Sequence, residues 1–203
     1  MRLIRKIFNE DTIFFGAAII VLALTVSAMF HGCTKQTQPP PATIPSKPIA
    51  SEWKWEDFLQ ANLSERHLSA SQQPLCKKQI EARKFWSALL RSIVYAESNF
   101  NPTSTYTEKT QGIDPVTGKQ TVSVGLLQLS VKDKLVYKTS HCADLNEQNI
   151  KDPEKNLGCG LEIMAKLIGT RSDLQASLGR YWSTIRPGHK AEAKLWQDLP
   201  ECR

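Results

Sequence analysis

Between Trp86 and Pro102 the chain reads Trp-Ser-Ala-Leu-Leu-Arg-Ser-Ile-Val-Tyr-Ala-Glu-Ser-Asn-Phe-Asn-Pro, with Trp86, Leu90, Ile93 and Glu97 at intervals of four, three and four residues. That spacing places all four on one face of a helix, so a carboxylate closes an apolar stripe. Asn101-Pro102 ends the helix, because the residue before proline is pushed out of helical geometry. Burying a charged carboxylate without a partner is costly, and desolvation favours its protonated form. A carboxyl that stays protonated near neutral pH is what a general acid requires. The same pattern also fits the solvated last turn of an ordinary core helix, so the stripe alone does not make Glu97 catalytic.

The remaining segments predict a mainly α fold with one small β element. Ser51 caps a short helix carrying Trp55, Phe58, Leu59 and Leu63. Trp53, Trp55 and Phe58 suit core packing better than a sugar-binding shelf. Gln72-Gln-Pro74 interrupts the pattern. Residues 103–122 hold the turn signals Gln111-Gly112, Asp114-Pro115 and Thr117-Gly118 and read as a surface loop or small β-hairpin beside Glu97. A second helix is expected from Ser123 through Val136. Asp152-Pro153 opens a third, with Leu157, Leu161, Met164 and Ile168 in one stripe and Gly169 closing it. Ser172 caps another that carries Leu174, Leu178, Tyr181 and Trp182 as far as Pro187-Gly188, and a last helix spans residues 190–199.

The N-terminus points to export. Arg2, Arg5 and Lys6 precede an unbroken uncharged run over residues 12–30, a basic segment followed by an apolar one. The run is also long enough for an uncleaved membrane anchor, which takes about 20 apolar residues. Phe30-His-Gly-Cys33 resembles a bacterial lipoprotein cleavage box with Cys33 as the lipidated residue, and Val26-Ser-Ala28 could instead serve an ordinary signal peptidase. All three routes place the remainder outside the cytoplasm. Residues 34–50 are rich in Gln, Thr and Pro and read as a semi-rigid tether. The expected organisation is therefore a signal or anchor over 1–32, a linker over 33–50, a helical extension over 51–75 and a compact domain over 76–203.

Cys76, Cys142, Cys159 and Cys202 form no CxxC pair, which argues against a zinc ribbon or a thioredoxin-type site. In an exported chain they favour disulfides. Of three possible pairings, Cys76 with Cys202 would tie the ends of the domain and Cys142 with Cys159 would clamp a loop to the next helix. The net charge of +6 and pI near 9.1 favour acidic partners. No basic run interleaved with aromatics supports nucleic acid. No nucleotide loop, metal constellation or Ser-His-Asp order is evident, so neither a cofactor nor a metal is expected. His31, His67, His141 and His189 are scattered and read as surface or loop residues.

Four stretches resemble the lysozyme-like lytic transglycosylases, relatives of soluble lytic transglycosylase and goose-type lysozyme. They are Glu97-Ser98-x-Phe100-x-Pro102, Ser123-x-Gly125-Leu126-Leu127-Gln128-Leu129, Asp152-Pro-Glu-x-Asn156-Leu-x-x-Gly160 and Arg180-Tyr-Trp-Ser-Thr184. The fourth usually reads Ala-Tyr-Asn-x-Gly, so Tyr181 matches and Trp182 replaces the asparagine. The resemblance implies an α+β lysozyme-like fold, a peptidoglycan glycan strand as partner, and cleavage of the β-1,4 bond between N-acetylmuramic acid and N-acetylglucosamine. Glu97 would protonate the leaving oxygen and then act as base while the muramic acid 6-hydroxyl closes a 1,6-anhydro ring. Ser98 and Ser123 would line the site. Gln128 with the nearby backbone of Gly125 and Leu126 would contact sugar, Tyr181 would orient Glu97, and Trp182 would alter the contacts on its side. Two other readings remain: a lysozyme-type hydrolase in which Glu108 or Asp114 positions a water, and a cell-wall-binding protein that keeps the fold without the chemistry.

Overall fold

The structure, a computed structural model, describes residues 53–189 and Cys202. The apolar run, Cys33, the tether, Ser51 and the helix expected over 190–199 lie outside the described residues.

The apolar stripe around Trp86 becomes the longest helix, α3 (Ala82–Ser98). Glu81 caps it by accepting hydrogen bonds from the Arg83 and Lys84 N–H groups, both at 3.0 Å. Phe85, Trp86, Leu89, Leu90, Ile93 and Val94 along it are buried. At its far end Asn99 and Phe100 both adopt left-handed φ, 51° and 60°. Such a conformation is uncommon for a bulky residue. Burial against Tyr95 and Trp53 holds Phe100 there, so the chain turns sharply just beyond Glu97.

Two short helices, α1 (Glu56–Asn62) and α2 (Glu65–Leu68), pack on α3 and on α5 (Pro153–Leu167). α1 begins at Glu56, whose carboxylate accepts from Trp53 Nε1 at 2.8 Å and Ser87 Oγ at 2.6 Å. Trp53, Trp55 and Phe58 pack against the core. His67 was expected at the surface, but it is buried between three helices. Its carbonyl accepts from Trp86 Nε1 at 2.6 Å, and its own Nε2 lies 3.1 Å from the Leu161 carbonyl. α5 starts as the sequence predicts, with Asp152 accepting from Lys155 N–H at 2.8 Å and proline in the first turn.

Residues 103–124 supply the β element, an antiparallel pair of β1 (Thr105–Thr107) and β2 (Val122–Val124) in which Tyr106 faces Ser123. The intervening loop is organised by Asp114. Its buried carboxylate accepts from Val116 N–H at 2.8 Å and from Ser130 Oγ and Lys132 N–H, both at 3.2 Å. The helix expected from Ser123 to Val136 is replaced by β2, a tight turn over residues 125–128, and the single turn α4 (Asp133–Val136). The reason lies in Asn156 on α5. Its side-chain oxygen accepts from Leu127 N–H at 2.8 Å, and its Nδ2 donates to the Val124 and Ile150 carbonyls, both at 3.0 Å. Those backbone groups are thereby withdrawn from a helical ladder. Gly125, at φ 83°, passes so close that a Cβ would sit 2.4 Å from Asn156 Nδ2. Gly160 likewise faces Leu127, where a Cβ would meet Cδ1 at 2.1 Å.

After α5 comes α6 (Leu174–Leu178), shorter than expected and capped by Asp173 rather than Ser172. Tyr181 and Trp182 fall in the turn that follows, before a 3-10 turn over Ser183–Ile185. Both favoured disulfides are present, Cys76–Cys202 and Cys142–Cys159.

Two measurements test this packing. Replacing Asn156 with Ala takes the partner from the Leu127 N–H and the Ile150 carbonyl and leaves the Val124 carbonyl with only its bond from Leu129 N–H, and should lower unfolding free energy by about 3 kcal/mol in urea titrations. His67 is pushed down to about 4 by burial, with its bond to Leu161 acting the other way. Unfolded histidine takes up a proton near its ordinary value of about 6.5. Between those values the unfolded chain binds the extra proton, so stability falls as pH drops from 6.5 toward 4, by up to about 3 kcal/mol. His67→Gln should flatten that slope in urea midpoints measured across the interval.

Candidate active site

The end of α3, the cleft-facing side of the hairpin, α4 and the segment after α6 enclose a cleft of ≈ 580 Å³. Glu97, Glu108, Ser123, Gln128, Asp133, Tyr181 and Arg180 all contribute to its wall. Glu97 is half-buried, and Thr184 Oγ1 donates a hydrogen bond to its Oε1 at 2.8 Å. Burial pushes the Glu97 carboxyl above the ordinary carboxylate range, and the negative charge of Glu108 adds to the shift. The Thr184 hydroxyl opposes it by stabilising the ionised form. The balance keeps a proton available closer to neutral pH.

Glu108 reaches the cleft because it leaves β1 on the side occupied by Ser123, whose hydroxyl donates to Glu108 Oε1. Asp114, the other carboxylate expected to position a water, is spent on its own loop, with both oxygens accepting bonds from residues 116–132. A third acid, Asp133, accepts from Ser130 N–H at 2.8 Å and from the Tyr181 hydroxyl. Burial raises Asp133 despite those bonds, and burial next to Asp133 raises Tyr181 well above the ordinary phenol value.

The expected helpers divide. Ser123, Gln128 and Tyr181 stand at the cleft, but Tyr181 is bound to Asp133, and Thr184 takes the partnership with Glu97 that was expected of it. Gln128 sends its amide to the Ser104 and Gly125 carbonyls, at 3.3 and 2.9 Å. Ser98 does not line the site: it is buried, and its hydroxyl donates to the Val94 carbonyl within α3 at 2.9 Å. Leu126 is wholly buried, and Gly125 acts through the turn described above. Trp182 is a core residue that touches the cleft wall, with its indole N–H donated to the Leu127 carbonyl at 3.0 Å. Thr184 and Asp133 escaped the sequence reading. Thr184 had one visible signal, its place at the end of the fourth stretch where glycine is usual.

Residues 74–186, more than half of the chain, match the family described as the transglycosylase SLT domain. The chain belongs to that family. Its fold is similar to solved structures of DslA (Bd0314): the wild-type form at 26% identity with a TM-score of 0.60, and two glutamate-to-glutamine mutants at 25% and 24% with TM-scores of 0.61 and 0.60. Each covers 73% of this chain and 91% of the DslA chain. No curated protein matches. The lysozyme-like, helix-dominated architecture with a two-stranded sheet is thus that of its family. Among the described residues, no helix is long and apolar enough to cross a membrane.

Removing the Thr184 hydroxyl should expose its contribution. Thr184→Val is expected to lower kcat about fivefold, the rate equivalent of a hydrogen bond worth ~1 kcal/mol. The alkaline limb of the pH–rate profile should also move to higher pH, because the ionised form of Glu97 loses its donor. A profile superimposable on the parent's would show that Thr184 leaves Glu97 untouched.

Proposed function

We propose that the chain is a peptidoglycan lytic transglycosylase that cleaves the β-1,4 bond between N-acetylmuramic acid and N-acetylglucosamine and leaves a 1,6-anhydro-muramic end. The observation that carries this reading is Glu97: one protonatable carboxyl held by Thr184 inside a cleft, in a chain of the SLT family. Protonated Glu97 delivers its proton to the leaving glycosidic oxygen as the C1–O bond breaks. The resulting carboxylate then takes the proton of the muramic 6-hydroxyl as that oxygen bonds to C1, which returns the acid to its starting state. The nucleophile belongs to the substrate, so one carboxyl serves twice. Ser123 and Gln128 face the bound strand from the hairpin side, and the turn containing Gly125 and Leu126 supports them from behind. The N-terminal export features over residues 1–50 support an envelope location, with the domain held at a membrane by lipid on Cys33 or by an uncleaved apolar helix.

Glu108 favours a second reading. It shares the cleft with Glu97, and two carboxyls flanking a glycosidic bond at roughly 5 to 9.5 Å are the usual equipment of a glycoside hydrolase. The two DslA mutants replace glutamates that lie eleven residues apart, the spacing between Glu97 and Glu108. In that case Glu108 would prepare a water, and the product would carry a reducing end.

Mass spectrometry of digested sacculi separates the two, since anhydro and reducing ends differ by one water. Glu97→Gln should cost roughly 10²–10⁴ in rate on either route, and a fully active variant would remove both. Glu108→Gln divides them. On the anhydro route it removes a like charge, lowers Glu97 and shifts the alkaline limb to lower pH with turnover largely kept. On the hydrolytic route it abolishes the base, and the rate falls by roughly 10²–10⁴.

A further inference from the structure

The far wall of the cleft carries two guanidinium groups that the cleavage chemistry does not use. Arg180 is exposed, lines the cleft, and its side chain has neither a hydrogen-bonding nor an ion-pair partner among the described residues. Arg186 lines the same wall. Its Nε donates to the Gly179 carbonyl at 2.7 Å, and it lies across Gly179 so closely that a Cβ there would be 3.2 Å from Arg186 Cγ. The absence of a side chain at 179 therefore leaves room for Arg186 against the residue that precedes Arg180. Lys132, which lines the same cleft, is held by the neutral oxygens of Gln111 and Thr121, at 2.7 and 3.4 Å.

None of the three cations forms a salt bridge to a carboxylate among the described residues. A planar fork of donors left open in a cleft is suited to a carboxylate. Arg180 also stands where the resembling pattern has alanine.

We infer that Arg180 and Arg186 form a subsite for a carboxylate of the peptide stem attached to muramic acid. The inference rests on the reading of the cleft as a peptidoglycan site. In an intact strand the lactyl carboxyl is already consumed in the amide bond to the stem, so the anions within reach are the carboxylates of the peptide. The protein then selects strands that carry free-acid stems over strands whose stems have been neutralised.

The test compares peptide-bearing glycan strands in their native form with the same strands after carbodiimide coupling to methylamine, which blocks the carboxylates and leaves sugar and peptide length unchanged. The parent should show kcat/KM roughly tenfold higher on native strands, the scale of one charge-assisted contact. In Arg180→Ala the ratio should fall to about one, and Arg180→Lys should recover part of it. A parent that cuts both substrates alike, or an Arg180→Ala variant that keeps the full preference, would overturn the subsite. The same ratio is to be read as Kd for soluble muropeptides, acid and amidated, on the Glu97→Gln variant. If no strand is cleaved but the acid form still binds roughly tenfold tighter through Arg180, the subsite stands and the cleavage reading falls. Equal binding of both forms would remove the subsite whether or not strands are cut.

Discussion

The site depends on one buried amide. Asn156 reaches from α5 to the turn after β2 and satisfies a donor at Leu127 and acceptors at Val124 and Ile150. Leu127 in turn offers its carbonyl to Trp182, and its side chain fills the space that Gly160 leaves open. The hairpin carrying Ser123 and Glu108, the helix α5 and the segment that supplies Thr184 are therefore referred to a common point. Buried amides left unsatisfied are expensive, so a network of this kind has few alternative arrangements. This is why the hairpin and the segment after α6, far apart in the chain, meet at one cleft.

The electrostatics of the cleft follow from that geometry. Glu97 sits at the end of the helix face that carries the buried Trp86, Leu90 and Ile93, and the left-handed turn at Asn99 and Phe100 follows directly. Burial and the nearby Glu108 both favour its neutral form, and Thr184 pulls in the other direction. On the proposed transglycosylase route the group gives a proton and then recovers one, and such opposition suits both halves, because either form alone would stall half the cycle. Asp133 and Tyr181 show the contrasting case. There two acidic groups are locked to each other, and the tyrosine is committed to Asp133 rather than to Glu97.

Much of the fold was legible in the chain. The stripe through Trp86 and Ile93 gave α3, Asp152-Pro153 gave the start of α5, and the turn dipeptides between 111 and 118 marked the hairpin loop. These features are local: periodicity, a cap, a proline in the first turn. Where the reading failed, a distant residue decided. The helix expected at 123–136 is apolar enough to form, but Asn156, some thirty residues downstream, takes its backbone groups and leaves a strand and a turn. His67 reads as a polar loop residue until α3 and α5 close over it. The family stretches single out Glu97 but not the hydrogen-bond partner the fold gives it, because Thr184 departs from the expected glycine and only the folded distance shows what the departure does.

The two carboxylates of the loop illustrate how strongly context decides a role. Glu108 and Asp114 are six positions apart and chemically almost alike, and composition offers no basis for choosing between them. Asp114 has a shorter side chain and stands at a turn, where it accepts from backbone N–H groups two and three residues on, as aspartate in turns commonly does. Once its oxygens are committed, its charge is absorbed into the loop. Glu108 follows a strand residue, so its direction is set by the pleat, and the hairpin register places it with Ser123 on the face that looks toward Glu97. A shift of one position would turn it to the opposite face, away from Ser123 and the cleft. Whether Glu108 shares the cleft with Glu97 therefore hangs on the register of a three-residue strand.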